Sequence, residues 1–219
     1  MTKILDDFLG WGRPAKTLTR AELEDELAEH DCAGDKASRV FELQDRFGGT
    51  RIQDRRRTDY EIWQTIGVPS TDGVYLDRAG VLLVQFFDFG VAAPYEVALR
   101  LDGSVVATNG LEVIDAAASF ECFLEGLAHE SHVSQRFSNA DGINVPRNFE
   151  SALSDLPLKS RVSAASDHLT TWWHADSWAA RLRTIWDGAP PTIDLLVWNP
   201  NEAPEGFRQM IDHYKPEWK

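Results

Sequence analysis

His129-Glu130-Ser131-His132 is the densest group of metal-ligating side chains in the chain. A zinc-protease helix carries two histidines at i, i+4 with a glutamate directly after the first, so both imidazoles share one helix face. Here the spacing is i, i+3 and no third ligand follows nearby, so the tetrad reads as an exposed helix end. Cys122 with a distant histidine would make a nucleophile pair. Its place between Glu121 and Phe123, in an amphipathic stretch, assigns it to packing instead. His168, His174 and Asp176 are the remaining groups with acid–base potential, and they carry the enzymatic reading of the C-terminal part. No serine sits in a Gly-x-Ser-x-Gly elbow, and Phe47-Gly48-Gly49-Thr50 lacks the lysine and the spacing of a phosphate loop. Arg55-Arg56-Arg57 is flanked by Asp54 and Asp59 and reads as a solvated loop or as ion-pair partners. The expectation is no catalytic residue, no metal and no cofactor.

The elements around these groups follow from caps, periodicity and turns. Thr19 with Glu22 three residues on forms a capping box for a helix whose apolar stripe is Leu23 and Leu27. Asp35 is the expected cap of a second helix carrying Val40, Phe41, Leu43 and Phe47, with Gly48 as its left-handed C-terminal cap. Strands are expected over Tyr60–Ile66, Gly73–Leu76 and Val81–Phe89, the last nearly all apolar and therefore covered on both faces. Tyr95–Leu101 and Ser104–Thr108 make a hairpin through Asp102-Gly103. Glu112–Leu127 reads as a helix, and Ser131–Asn148 as a polar loop. A further helix is expected from Ser166-Asp167 to Trp186, because Ala175, Trp178, Ala179, Leu182, Ile185 and Trp186 fall on one helical stripe. Trp172 and Trp173 are adjacent, so on that helix one of them would point outward as a partner contact. Ile193–Trp198 reads as a short strand and Pro204–Tyr214 as a last helix.

The 219 residues are 43% hydrophobic and 26% charged, a globular composition that buries a core without disulfides. Only Cys32 and Cys122 occur, with no pairing pattern, and no run approaches the ~20 apolar residues of a membrane span. A cytoplasmic location follows as the expectation. The formal charge of −13 is concentrated: residues 60–130 hold 2 basic and 11 acidic groups, net −9. Such a segment repels phosphate, which argues against direct nucleic-acid or anionic-membrane binding and for a basic protein partner.

Three segments in order, Phe47-Gly48-Gly49 after a helix, the Val97–Val106 hairpin, and Ser119-Phe120-Glu121-Cys122-Phe123-Leu124, resemble the SUKH superfamily of bacterial immunity proteins over about residues 20–128. The family's apolar-proline stretch is not evident, and the chain beyond 130 has no counterpart in the family pattern. The resemblance implies an α+β fold, a twisted, mostly antiparallel sheet packed by helices, spanning residues 1–130. A mainly helical extension, 131–219, would pack on the same unit. It further implies no enzymatic activity and neutralisation of a cognate polymorphic toxin in the producing cell. The −9 segment suits a basic nuclease or nucleic-acid-modifying toxin whose active site is occluded. Asp72, Asp77, Asp88, Glu96 and Asp102 are the candidate toxin-binding acids, with Trp63 and Tyr95 as apolar anchors. The alternative is a regulatory or scaffold module of the same fold.

Overall fold

The computed structural model describes residues 2–32, 34–54, 62–89, 95–109, 111–137, 139–146, 161–184 and 192–214. The Arg55–Arg57 run, Tyr60, Ile185 and Trp186 lie outside them. The fold is α+β, with two antiparallel sheets. The chain divides into two compact units, Met1–Leu124 and Glu125–Lys219, with the boundary inside a single helix.

Unit 1 begins with three helices: α1 (Lys3–Gly10), α2 (Arg20–Glu29) and α3 (Ser38–Phe47). The capping box of α2 forms as the spacing predicts. Thr19 N–H donates to Glu22 Oε2 at 2.8 Å and Glu22 N–H donates to Thr19 Oγ1 at 3.3 Å. The Thr19 N–H first, and then the Thr19 hydroxyl donating at 2.9 Å, hold the Glu22 carboxyl below its ordinary range. Thr19→Ala is expected to cost about 1 kcal/mol in a urea denaturation series, since the Glu22 N–H loses its acceptor and the Glu22 carboxylate loses the hydroxyl donor.

Helix α3 differs from expectation at both ends. Its N-cap is Ala37, not Asp35, and no side chain caps it. Gly48 is extended (φ −61°), and the left-handed residue is Gly49 (φ +75°). Gly48 is glycine for another reason: a Cβ there would sit 2.6 Å from the side chain and carbonyl of Gln44. That buried glutamine is a clip. Its Nε2 donates to Leu18 O at 2.7 Å, and its Oε1 accepts from Val68 N–H at 3.3 Å.

The larger sheet has eight strands: β1 (Arg13–Pro14), β2 (Thr50–Asp54), β3 (Ile62–Ile66), β4 (Val74–Leu76), β5 (Leu82–Asp88), β6 (Glu96–Leu99), β7 (Val105–Thr108) and β8 (Val113–Ala117). Their order is β1-β2-β3-β5-β6-β7-β8, with β4 also on β5. The Asp102-Gly103 hairpin is present. Gly103 has φ +84°, and Asp102 Oδ1 accepts from Ser104 N–H at 2.8 Å. The sheet's inner face holds Ile66, Val84, Phe86, Phe87, Val97 and Leu99, all buried. Phe120 packs on that core, its ring 4.9 Å from Phe86 and 5.8 Å from Phe47.

The expected helix over Glu112–Leu127 is corrected. Residues 113–117 are strand β8, and the helix α4 runs Phe120–Arg136. Asn109 turns the chain into β8 by accepting from Leu111 and Glu112 N–H at 2.9 Å each, and Ser119 Oγ accepts from Cys122 N–H at 3.2 Å to open α4.

Unit 2 overturns the expectation of a mainly helical extension. It contains a four-stranded antiparallel sheet in the order β10-β11-β12-β9. The strands are β9 (Ala140–Pro146), β10 (Thr170–His174), β11 (Ala179–Thr184) and β12 (Thr192–Trp198), followed by helix α5 (Glu205–Tyr214). The described part, to residue 184, of the stretch read as one helix is thus a hairpin. Ala175 N–H donates to Trp178 O at 2.9 Å around Asp176-Ser177. The physical reason is burial on both faces, which erases the alternation that marks a strand. Trp173, Trp178, Leu182, Leu195 and Val197 pack with Phe207 and Ile211 of α5. Trp172, Ala179 and Trp198 pack with Val133 of α4. The neighbours Trp172 and Trp173 therefore enter opposite cores, and neither is exposed. The strand over 193–198 and the final helix stand where the pattern predicts, while the expected loop at 131–148 contains the end of α4 and β9.

Candidate functional site

Register sorts the side chains of unit 1 between the two faces of its sheet. In β3, Ile62, Gln64 and Ile66 are buried, so Trp63 and Thr65 take the outer face. Thr65 pairs with Asp88, and Val97 on the inner face puts Glu96 outside. Trp63, Asp88 and Glu96 of the candidate set thus share one face. Asp115 joins them, paired with Arg100 at 2.6 Å. The others lie elsewhere. Asp72 is exposed in a short 3-10 turn, and Tyr95 is half-buried just before β6. Asp77 and Asp102 occupy the β4–β5 and β6–β7 turns and serve their own backbones: Asp77 Oδ1 accepts from Ala79 and Val81 N–H, both at 2.8 Å.

Two features of unit 1 were not legible in the sequence. Trp63 is flanked by guanidiniums, with Arg13 Cζ 4.6 Å and Arg51 Cζ 5.1 Å from its ring centroid, so its surroundings are cationic. Among the described residues the exposed large apolar side chains are Trp11, Leu111 and two at the β4–β5 hairpin tip, where Leu76 is 55% and Val81 is 42% exposed on either side of Asp77. Next to Leu76, Tyr75 donates its hydroxyl to Glu96 Oε2 at 3.4 Å. Burial first, then the Glu96 charge, pushes the Tyr75 pKa up to about 12, so this hydroxyl stays a donor at any physiological pH.

Unit 2 holds the second group of functional side chains. His129 and His132 project from α4, and His174 ends β10. The ring centroids are 5.9 Å apart for His129–His174 and 5.4 Å for His132–His174. The expectation of an exposed helix end holds for His132 and fails for His129, which is only 3% exposed and lies inside a helix that continues to Arg136. Trp172 lies 6.0 Å from His129 and stacks on Trp198 at 5.5 Å. Beside them Arg181 of β11 binds Glu130 Oε2 at 2.5 Å, a buried ion pair tying the strand to the helix. Of the residues in the enzymatic reading, His174 enters this cluster. His168 is exposed at the opposite end of β10, and Asp176 is exposed in the following turn. Among the described residues no three His, Cys, Asp or Glu side chains are arranged to hold a metal ion. Among them, too, no helix is long and apolar enough to cross a membrane.

Compared with protein-family models, curated proteins and solved structures, the chain matches none.

Proposed function

We propose that this chain is a cytoplasmic immunity protein whose unit 1 is SUKH-like and which binds a cognate toxin and occludes its active site. The observation that carries the reading is the combination of charge and apolarity on unit 1. Asp88 and Glu96 sit on the outer sheet face, and Leu76 and Val81 stand exposed around Asp77 at a hairpin tip, within a segment of net charge −9. Acids of this kind steer a basic partner, such as a nuclease or nucleic-acid-modifying domain, and the exposed aliphatic pair supplies desolvated contact. The closing-helix motif supports the family reading, since Phe120 and Phe123 anchor the start of α4 on the aromatic core.

Pull-down of the bound partner from the native cell, followed by co-expression with that partner, tests the proposal. The expected result is restored growth and a stoichiometric complex whose association slows as salt rises. Asp88→Lys with Glu96→Lys is expected to slow association about tenfold in stopped-flow at low salt, with dissociation little changed. Leu76→Ala with Val81→Ala is expected to act on dissociation instead. Growth that stays arrested, with no complex at low salt, overturns the toxin reading and returns the chain to a regulatory or scaffold role.

A further inference from the structure

The imidazole cluster of unit 2 is not used by a binding role for unit 1, and its chemistry is unusual. Among the described residues neither ring nitrogen of His129 has a hydrogen-bond partner, and Nε2 of His174 is also buried without one. A buried neutral imidazole tolerates this at some cost, whereas a proton added there would bury a cation with no acceptor beside two further imidazoles. The charged groups around the cluster do not offset that. From α4 come His132 and Arg136, with Glu130 engaged by Arg181 of β11 and Glu125 buried one turn before His129. From the turn after β10 comes Asp176, which is exposed and whose backbone carbonyl accepts from Arg136 at 2.5 Å.

We propose that His129 and His174, with the exposed His132 against them, form an acid-sensitive latch that holds the unit 2 part of α4 on its four-stranded sheet. Neutral imidazoles let the helix close over Trp172, whose indole Nε1 lies 3.4 Å from where a Cβ at Gly126 would stand, an ordinary packing contact. Protonation drives the helix off.

Electrostatics runs the same way. Burial first, then His174 and His132, push the His129 pKa down to about 4. Burial also lowers that of His174, against which Asp176 pulls upward. A histidine whose folded pKa lies below its ordinary 6.5 takes up its proton on opening, so its stabilising effect is complete above pH 6.5 and is lost as pH falls toward 4.

The test is hydrogen exchange on the full chain, corrected for intrinsic rates. From pH 7.5 to 5.0 the opening equilibrium of segments 125–136 and 170–184 is expected to rise about thirtyfold from His129 alone, taking its pKa from 6.5 open to about 4 closed. Segments in α2 and α3 serve as the internal reference. His129→Phe, which keeps a ring and removes the proton site, is expected to abolish most of that rise. Imidazole NMR on the unsubstituted chain is the readout should the variant misfold. A His129 pKa near 6.5, or exchange in both segments that does not respond to acid, overturns the latch.

Discussion

Phe120→Ala is expected to destabilise unit 1 by about 3–5 kcal/mol, lowering its melting temperature by roughly 10–20 °C. The ring is fully buried at the first position of α4 and is the hub of an aromatic cluster. It meets Phe86 edge-on at 4.9 Å, Phe47 at 5.8 Å and Phe123 at 5.9 Å. Truncation removes the burial of one large side chain and leaves a cavity walled by three elements that cannot all collapse into it: α3, β5 and the start of α4. The polar bond at the same joint is a control. Glu121, the next residue, accepts from Arg39 Nη2 at 2.7 and 2.6 Å and from Arg46 at 3.3 Å, but these side chains are a quarter or more exposed. Glu121→Gln is expected to cost about 1 kcal/mol or less. Thermal melts and urea titrations of the two variants separate the contributions. A loss at Phe120 no larger than that at Glu121 would mean that the aromatic cluster does not anchor the helix.

The two units differ in how much of them the sequence discloses. Elements punctuated by chemistry were legible: the Thr19–Glu22 box, the Asp102-Gly103 turn, and the strand at 193–198. Elements whose two faces are both covered were not. Residues 170–184 put Trp172 and Arg181 on one side and Trp173, Ala180 and Leu182 on the other, so apolar residues fall nearly everywhere and a helical period fits them by accident. The contrary signals were the β-branched pair Thr170-Thr171 and the turn-forming Asp176-Ser177. The same error hid the histidine cluster. His174 meets His129 only because β10 is a strand that carries the side chains of Trp172 and His174 to the α4 side together, a contact across 45 residues that no local spacing encodes. On the outer face of unit 1 the acids were legible as composition. Which of them stabilise turns, as Asp77 and Asp102 do, depended on backbone geometry that only the fold supplies.

Arg181→Ala is expected to cost unit 2 about 3–5 kcal/mol, because it leaves the Glu130 carboxylate buried without its cation. The two side chains are 7% and 14% exposed, and the pair bridges the middle of β11 to α4 beside Trp172, whose ring centroid is 5.9 Å from the Arg181 guanidinium. That loss is mostly the penalty of the stranded charge rather than the net worth of the pair. The distinction has a measurable consequence. Arg181→Met combined with Glu130→Leu removes both charges and retains much of the volume, so it is expected to recover most of the stability and even to exceed the parent by about 1–4 kcal/mol. A double-mutant cycle by urea denaturation at pH 7.5, where His129 is neutral, measures this without interference from the latch. A double variant as unstable as Arg181→Ala would mean that the pair fixes the register of α4 on the sheet through geometry that apolar packing cannot replace.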